Sequence, residues 1–393
     1  MSAPELDRPA TPRILAGPDA LERIGAILPP APGAVLIIAD AGMLDTGLID
    51  RLEQALPAGR EVTRFVCPPG EPTLETVNAA AGEARRRPGA VTVGLGGGSA
   101  LDCAKLVASL SATALPAEDL TLGRHVPPPR GPSVMIPTTS GTGSEVTHTA
   151  IVSDAAGHKL WAWAPDMAPD AVILDPDLSM SVPPAMIIGT GLDAFVHGLE
   201  AVTGQGRDAF TELYGLAAIR HARSALAPYR RDPRDRHAAG HMQLAATLAG
   251  LAINTGGTGI AHTIGHALGS LYHVPHGIAV ALGLQASLEW SIAADPARYA
   301  TVAPAFGVPD DEPRALAGAF DEWLDALDFP TAARPALPST LDTGALAREM
   351  ANPANQPMRR NNARPATEAD LDRLAERVTA CWSACLGPEA RPA

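Results

Sequence analysis

Lysine is almost missing from this chain: among 393 residues it occurs only as Lys105 and Lys159, and the 30 basic residues, nearly all arginine, face 43 acidic ones. A formal charge of -13 leaves no basic surface to neutralise phosphates, which removes nucleic acids and anionic membranes from the expected partners. Cysteine is as sparse. Cys67, Cys103, Cys381 and Cys385 are too few and too scattered for a disulfide framework and read as thiols in a reducing compartment. The opening MSAPELDRPATPR has no apolar core of a leader, and no later run approaches the roughly 18 apolar residues of a membrane span. The expectation is a soluble, cytoplasmic protein. Aromatic residues are only 4%, whereas the 38 prolines and 37 glycines fall mostly between periodic segments, so coding bias explains them better than a fibrous or disordered class.

What is present fills two domains, because the length exceeds one ordinary core. Short runs rich in valine and isoleucine at 34–38 (AVLII), 61–66, 90–95 (AVTVGL), 133–136 and 171–174 read as buried parallel strands. Helical spacing at 46–56 and 73–87 alternates with them, which predicts a parallel α/β sheet over residues 1–182. After a proline-bounded crossing at 175–184 the period changes. Helices are predicted at about 185–203, 208–228, 235–255, 259–270, 276–294, 313–328, 343–351 and 367–386, giving an all-helical second domain over 183–393.

The third strand runs into GLGGGSALDCAK at 94–105, a glycine turn opening a helix, where backbone amides and the helix amino terminus can approach a pyrophosphate. It lacks the sixth-position glycine of the usual dinucleotide fingerprint, and a tight turn that binds nothing is the competing explanation. Asp40 ends an earlier strand. A carboxylate there either simply terminates the strand or accepts hydrogen bonds from a ribose diol and repels a 2′-phosphate, selecting NAD over NADP. A second donor loop, PTTSGTGSEVT at 137–147, follows the proline-rich stretch 126–132, and the two loops together suggest a crevice for phosphates and nicotinamide. Lys159, in a polar turn, either adds a cation there or is an ordinary exposed lysine.

Four of the eleven histidines, His262, His266, His273 and His276, lie in GIAHTIGHALGSLYHVPHG at 259–277. His262 and His266 share a helix face, and His276 follows Pro275 at the opening of the next helix. The missing carboxylate stands in GLDAFVHGLEA at 191–201, where Asp193 and His197 are also four apart. Asp193, His197, His262 and His276 compose an O,N,N,N set suited to Fe(II) or Zn(II) with one position left for a substrate oxygen. His237 and His241 have the same spacing but no carboxylate on their face, and read as a solvated or packing surface. Cys381 and Cys385, beside Trp382, read as buried thiols.

These pieces resemble the iron-containing (group III) alcohol dehydrogenases. The motifs GGGSALDCAK, PTTSGTGSEVT, DAVILDPDL at 170–178, GLDAFVHGLEA, GIAHTIGHALG and PHG at 275–277 occur in family order, with a looser match in NNARPATEADL at 361–371. The resemblance implies a Rossmann-like amino-terminal domain, a helical metal-binding domain of dehydroquinate synthase-like architecture, and NAD(P) with a divalent metal held between them. It implies metal ligands Asp193, His197, His262 and His276. It also implies cofactor contacts from Asp40, Gly97, Gly98, Ser99, Asp102, Thr138, Thr139, Thr142, Thr147 and Lys159. A homodimer through an α/β-domain edge is expected from the same family. The activity implied is hydride transfer between a small alcohol and its aldehyde or ketone, with His266 placed to pass the alcohol proton to solvent.

Cys103, His273, Trp161 and Trp163 depart from the family pattern; the alternating tryptophans read first as aromatic packing, the competing explanation being that one lines the cleft while the other packs. Full occupancy of the ligand positions argues against the metal-independent branch resembling maleylacetate reductases. A dehydroquinate synthase-like lyase would need a basic phosphate cluster, for which lysines are scarce. A metal-stabilised binding protein without turnover would have no use for two donor loops and an open coordination position.

Overall fold

The computed structural model describes residues 10–30, 33–124 and 130–387; positions 126–129 of the proline-rich stretch and both chain ends lie outside the described residues. The chain divides into two compact units. One runs to Thr138 and resumes over Ser144–Leu178; the other takes Thr139–Gly143 and continues from Ser179.

The first unit carries strands β1 (Arg13–Ala16), β2 (Ala34–Asp40), β3 (Glu61–Cys67), β4 (Val91–Gly96), β5 (Ser133–Pro137), β6 (Thr149–Ser153), β7 (Lys159–Trp163) and β8 (Ala171–Leu174). Its helices are α1 (Leu48–Ala55), α2 (Leu74–Arg85), α3 (Gly98–Leu110) and the single turn α4 (Ala117–Leu120). Six strands form one parallel sheet in the order β1-β8-β5-β4-β2-β3. Helices and loops cover both faces, so a central strand is apolar throughout. On β2, Leu36 and Ile38 pack with α2 and α3, while Val35, Ile37 and Ala39 enter a separate core with Leu21, Ile24, Ile49 and Leu52.

Three strands differ from the sequence expectation. β1 is a four-residue edge strand, and β6 with β7 forms a separate antiparallel ribbon, pairing Ile151 with Trp161 and Thr149 with Trp163. In a strand, residues two apart share a face. Trp161 and Trp163 therefore point the same way and both are exposed, which corrects the expectation of aromatic packing as well as the alternative that one packs while the other lines a cleft. Cys103 is fully buried in the core under α3, and His273 closes a helix in the left-handed conformation at φ 55°.

The second unit is helical, with α5 (Pro184–Thr203), α6 (Ala209–Arg231), α7 (Arg236–Gly256), α8 (Ile260–Tyr272), α9 (His276–Ala294), α10 (Pro296–Phe306) and α11 (Ala315–Ala326). The shorter α12 (Phe329–Ala333), α13 (Thr343–Met350) and α14 (Gln356–Asn361) precede the closing α15 (Glu368–Leu386). α5 is apolar on almost every side because other helices surround it. Its Phe195 sits among Phe306, Phe320 and Trp323 with ring centroids 5.0–5.6 Å away, so truncating it to alanine costs about 3–5 kcal/mol.

By length and composition α5 and α9 are sufficient to cross a membrane, contrary to the expectation that no run comes close. Their apolar windows are instead 83% and 67% buried within this unit, which explains the composition as that of core helices.

Candidate metal centre and cofactor loops

In the first unit the glycine turn sits at the carboxyl ends of β2 and β4. Gly96 has φ +147°, and a side chain there would run into the Asp40 carboxylate, so only glycine fits. Asp40 Oδ2 accepts a 3.0 Å hydrogen bond from the Gly97 amide, where α3 begins without a capping side chain of its own. The Thr138 amide donates to the Gly96 carbonyl at 2.9 Å, bringing the second loop alongside the first. Asp40, Gly97, Gly98, Ser99 and Thr138 thus gather at one end of the sheet.

Asp102, Thr147 and Lys159 are already engaged within the unit. Asp102 accepts from Ser144 Oγ at 2.5 Å and from the Ile151 amide at 3.0 Å, and it faces the Lys105 ammonium at 3.0 Å. Lys105 is wholly buried and donates to Thr147 Oγ1 at 2.9 Å and to the Thr149 carbonyl. Burial pulls its pKa below the ordinary lysine value, with Asp102 opposing. The sequence singled out Asp102 and Thr147 without the lysine that joins them; its signal was its place one turn past Asp102. Lys159 pairs with Glu71 at 2.5 Å. Thr139 and Thr142 fall in the segment that belongs to the helical unit, where Gly141 lies against Thr190 and Gly143 against the backbone of Ala246 and Gly250.

The second unit brings Asp193, His197, His262 and His276 together, one ligand atom from each within 4.8 Å of the others. Asp193 and His197 lie one turn apart on α5. The backbone bends by 104° between α7 and α8, and this turn delivers His262 from the first turn of α8. Pro275 sets the start of α9, so that His276 is its first residue. A side chain on Gly277 would collide with the Gly189 backbone, and its absence lets α9 lie against α5.

Asp193 Oδ1 stands 3.5 Å from Nε2 of His262, 3.5 Å from Nε2 of His276 and 3.9 Å from Nε2 of His197. Asp193, His197 and His262 are buried, while the His276 side chain keeps 34% of its surface open. Asp193 Oδ1 and His262 Nε2 are buried with no hydrogen-bond partner, a costly state for polar atoms unless a cation sits among them. Burial would raise the Asp193 carboxyl, yet the surrounding imidazoles hold it well below the usual carboxylate range. Burial pushes the His197 imidazole below its ordinary value, which favours the neutral form that binds metal. The donor set, one carboxylate and three imidazoles, suits a borderline divalent ion.

Residues 11–176 match the family model described as "Iron-containing alcohol dehydrogenase", and residues 187–378 match "Fe-containing alcohol dehydrogenase family, C-terminal". The chain belongs to the iron-containing alcohol dehydrogenases. It is 31% identical over 356 residues to a sulfoacetaldehyde reductase of Bilophila wadsworthia, covering 86% of this chain and 90% of that one. It is 36% identical over 277 residues to the 1-propanol dehydrogenase PduQ of Salmonella typhimurium, covering 70% and 71% of the two chains. The fold matches a 1,3-propanediol oxidoreductase crystal structure with a TM-score of 0.85 at 24% identity, over 95% of this chain and all of that one. This iron-containing alcohol dehydrogenase is accordingly an oxidoreductase that interconverts an alcohol and its carbonyl compound, with NAD and a divalent metal as cofactors.

The residue that sequence reasoning missed in this dehydrogenase is Glu200. It follows Asp193 and His197 on the same face of α5, a signal that was legible. Its buried carboxylate accepts from His262 Nδ1 at 2.6 Å and from the amides of Gly259 at 2.7 Å and Ala261 at 2.6 Å. It therefore caps α8 from a neighbouring helix and turns the His262 ring. Burial alone would lower the His262 pKa, but Glu200 and Asp193 push it up to about 9. Asn361 and Asn362, quoted only in the loose terminal match, hold the turn before α8: Asn361 Nδ2 donates to the carbonyls of Gly256, at 2.6 Å, and Thr258, at 3.0 Å.

Proposed function

We propose that Asp193, His197, His262 and His276 hold the divalent metal of this alcohol dehydrogenase and that His266 moves the substrate proton. The observation that carries the reading is the pair of buried, partnerless atoms, Asp193 Oδ1 and His262 Nε2, aimed at one point with two further imidazole nitrogens. When bound, a divalent ion there supplies Lewis acidity toward an alcohol or carbonyl oxygen. Asp193 offsets its charge, and Glu200 keeps the proton of His262 on Nδ1 so that Nε2 stays a ligand. His266 lies one turn along α8, its ring centroid 5.6 Å from that of His276 and 6.4 Å from that of His262, close enough to receive the alcohol proton and beyond the ligand set.

For the cofactor, the reading gives Gly97, Gly98 and Ser99 the pyrophosphate and Asp40 the ribose diol. Asp40 keeps Oδ2 on the Gly97 amide, and its charge disfavours a 2′-phosphate, which supports NAD over NADP. Asp102 and Lys105 brace the Ser144–Thr147 end of the second donor loop, and Thr138 at its other end stands beside Gly96. The relatives named as sulfoacetaldehyde reductase and 1-propanol dehydrogenase support a short-chain alcohol or aldehyde as substrate. A cytoplasmic setting is supported by four cysteines left as thiols. A homodimer is supported by β1, an edge strand of the sheet among the described residues, with Ile14 39% exposed.

The lyase alternative finds little to stand on, since one lysine is buried in the sheet unit and the other is paired with Glu71. NADH formation across a panel of short alcohols tests the proposal. Turnover with C2 to C4 alcohols is expected; no reduction of NAD with any alcohol, and no NADH oxidation with any aldehyde, would overturn it.

A further inference from the structure

The histidines set aside as a packing face have a third member. His221 lies on α6, and His237 and His241 lie in the first two turns of α7. Nδ1 of His221 stands 2.8 Å from Nδ1 of His241, with the rings stacked at 4.9 Å and 27°. The His237 ring meets that of His241 edge-on at 4.3 Å. The cluster reaches the surface: His221 and His241 are half-buried and His237 is exposed. It shares no residue with the Asp193 group.

We propose that His221, His241 and His237 form a second transition-metal site, selective for ions that take nitrogen ligands at right angles, Cu(II) or Ni(II). Two facing Nδ1 atoms cannot both carry protons, so at least one presents a lone pair and the pair needs a shared proton or a shared cation. The spacing favours one geometry. Nitrogens bound at about 2.0–2.1 Å in cis positions of a square or octahedral shell stand about 2.9 Å apart, against about 3.4 Å in a tetrahedral shell. The 2.8 Å separation fits both an N–H···N hydrogen bond and the right-angle case, so the two nitrogens can exchange a shared proton for a shared ion without spreading the helices once each ring turns its lone pair off the N···N line. His237, one turn before His241, meets that ring edge-on but is not among ligand atoms that already converge, and it joins the pair only when its side chain turns.

The test uses the enzyme loaded with zinc, titrated with Ni(II) and then freed of unbound ions, with zinc and nickel counted on the same sample. The site predicts one nickel per chain added while the zinc is retained. His221→Gln and His241→Gln should each lose that nickel, and His237→Gln should weaken it at least tenfold, all three with unaltered alcohol oxidation in nickel-free buffer. Nickel taken up only as zinc is displaced, or equal uptake by the variants, overturns the proposal. A measurement on the unaltered protein guards against a variant that misfolds. One Cu(II) added to the zinc enzyme should give a tetragonal electron paramagnetic resonance spectrum with coupling from at least two nitrogens; an oxygen-only spectrum counts against the site.

Discussion

Glu200 Oε2 accepts a 2.6 Å hydrogen bond from Nδ1 of His262, and the same carboxylate takes two amides at the start of α8. One side chain thus sets both where α8 begins and which nitrogen of His262 faces Asp193. Glu200→Gln keeps the volume but removes the charge and offers an amide where an acceptor is needed. It should weaken metal binding by about 10- to 100-fold with helix content preserved. Metal analysis after dialysis at graded free-metal concentration checks this; unaltered affinity would mean that Glu200 only caps the helix.

His262→Ala and His266→Ala should fail in different ways although the two residues are one turn apart on α8. Loss of His262 should lower bound metal and activity together. Loss of His266 should leave metal content intact and reduce kcat where proton release limits the rate. Equal metal loss in both purified proteins would exchange their assigned roles.

Asp40 carries two tasks that one substitution can separate. Asp40→Ser retains an oxygen for the Gly97 amide but removes the charge, so the kcat/KM ratio of NADP to NAD should rise at least tenfold, about 1.4 kcal/mol of discrimination. Steady-state kinetics with both cofactors decide it, and an unchanged ratio would remove Asp40 from cofactor selection.

Asp370 anchors the start of α15, accepting from the Thr367 amide at 3.0 Å and hydroxyl at 2.7 Å, with Arg364 and Arg373 beside it. Burial opposes ionisation there, but these partners hold the carboxyl well below the usual range. A depressed folded-state pKa adds stability that is present above the unfolded value, about 4, and is lost as pH falls below it. Asp370→Ala should cost about 1–2 kcal/mol at pH 7, read as a lower melting temperature, and the gap from the unaltered protein should narrow toward pH 3. A gap independent of pH would assign the loss to packing.

Much of this arrangement is legible before folding is considered. Strands β2, β4, β5 and β8 are found because buried parallel strands need unbroken apolar runs, and the long helices because one face recurs every turn. β1 escapes because four residues at a sheet edge, mostly exposed, carry no such pattern. α10 and α14 escape because Pro296, Pro304 and Pro357 mask them. At the metal centre the types and spacing of Asp193, His197, His262 and His276 suffice to nominate them, whereas Glu200 is defined by amides about 60 residues further on. Likewise, nothing in the order of residues tells that Asp102 and Thr147 meet through Lys105.

If the Asp193 group binds a metal for catalysis, the helical unit should still stand without it, since its aromatic core around Phe195, Phe306, Phe320 and Trp323 contains none of the ligands. The direct measurement is alcohol oxidation, helical circular dichroism and NADH binding on one thoroughly chelated sample, before and after Fe(II) or Zn(II) is returned. Intact helix signal and NADH binding, no alcohol oxidation, and recovery on metal addition are expected; full activity in the chelated protein would rule out a catalytic metal at Asp193.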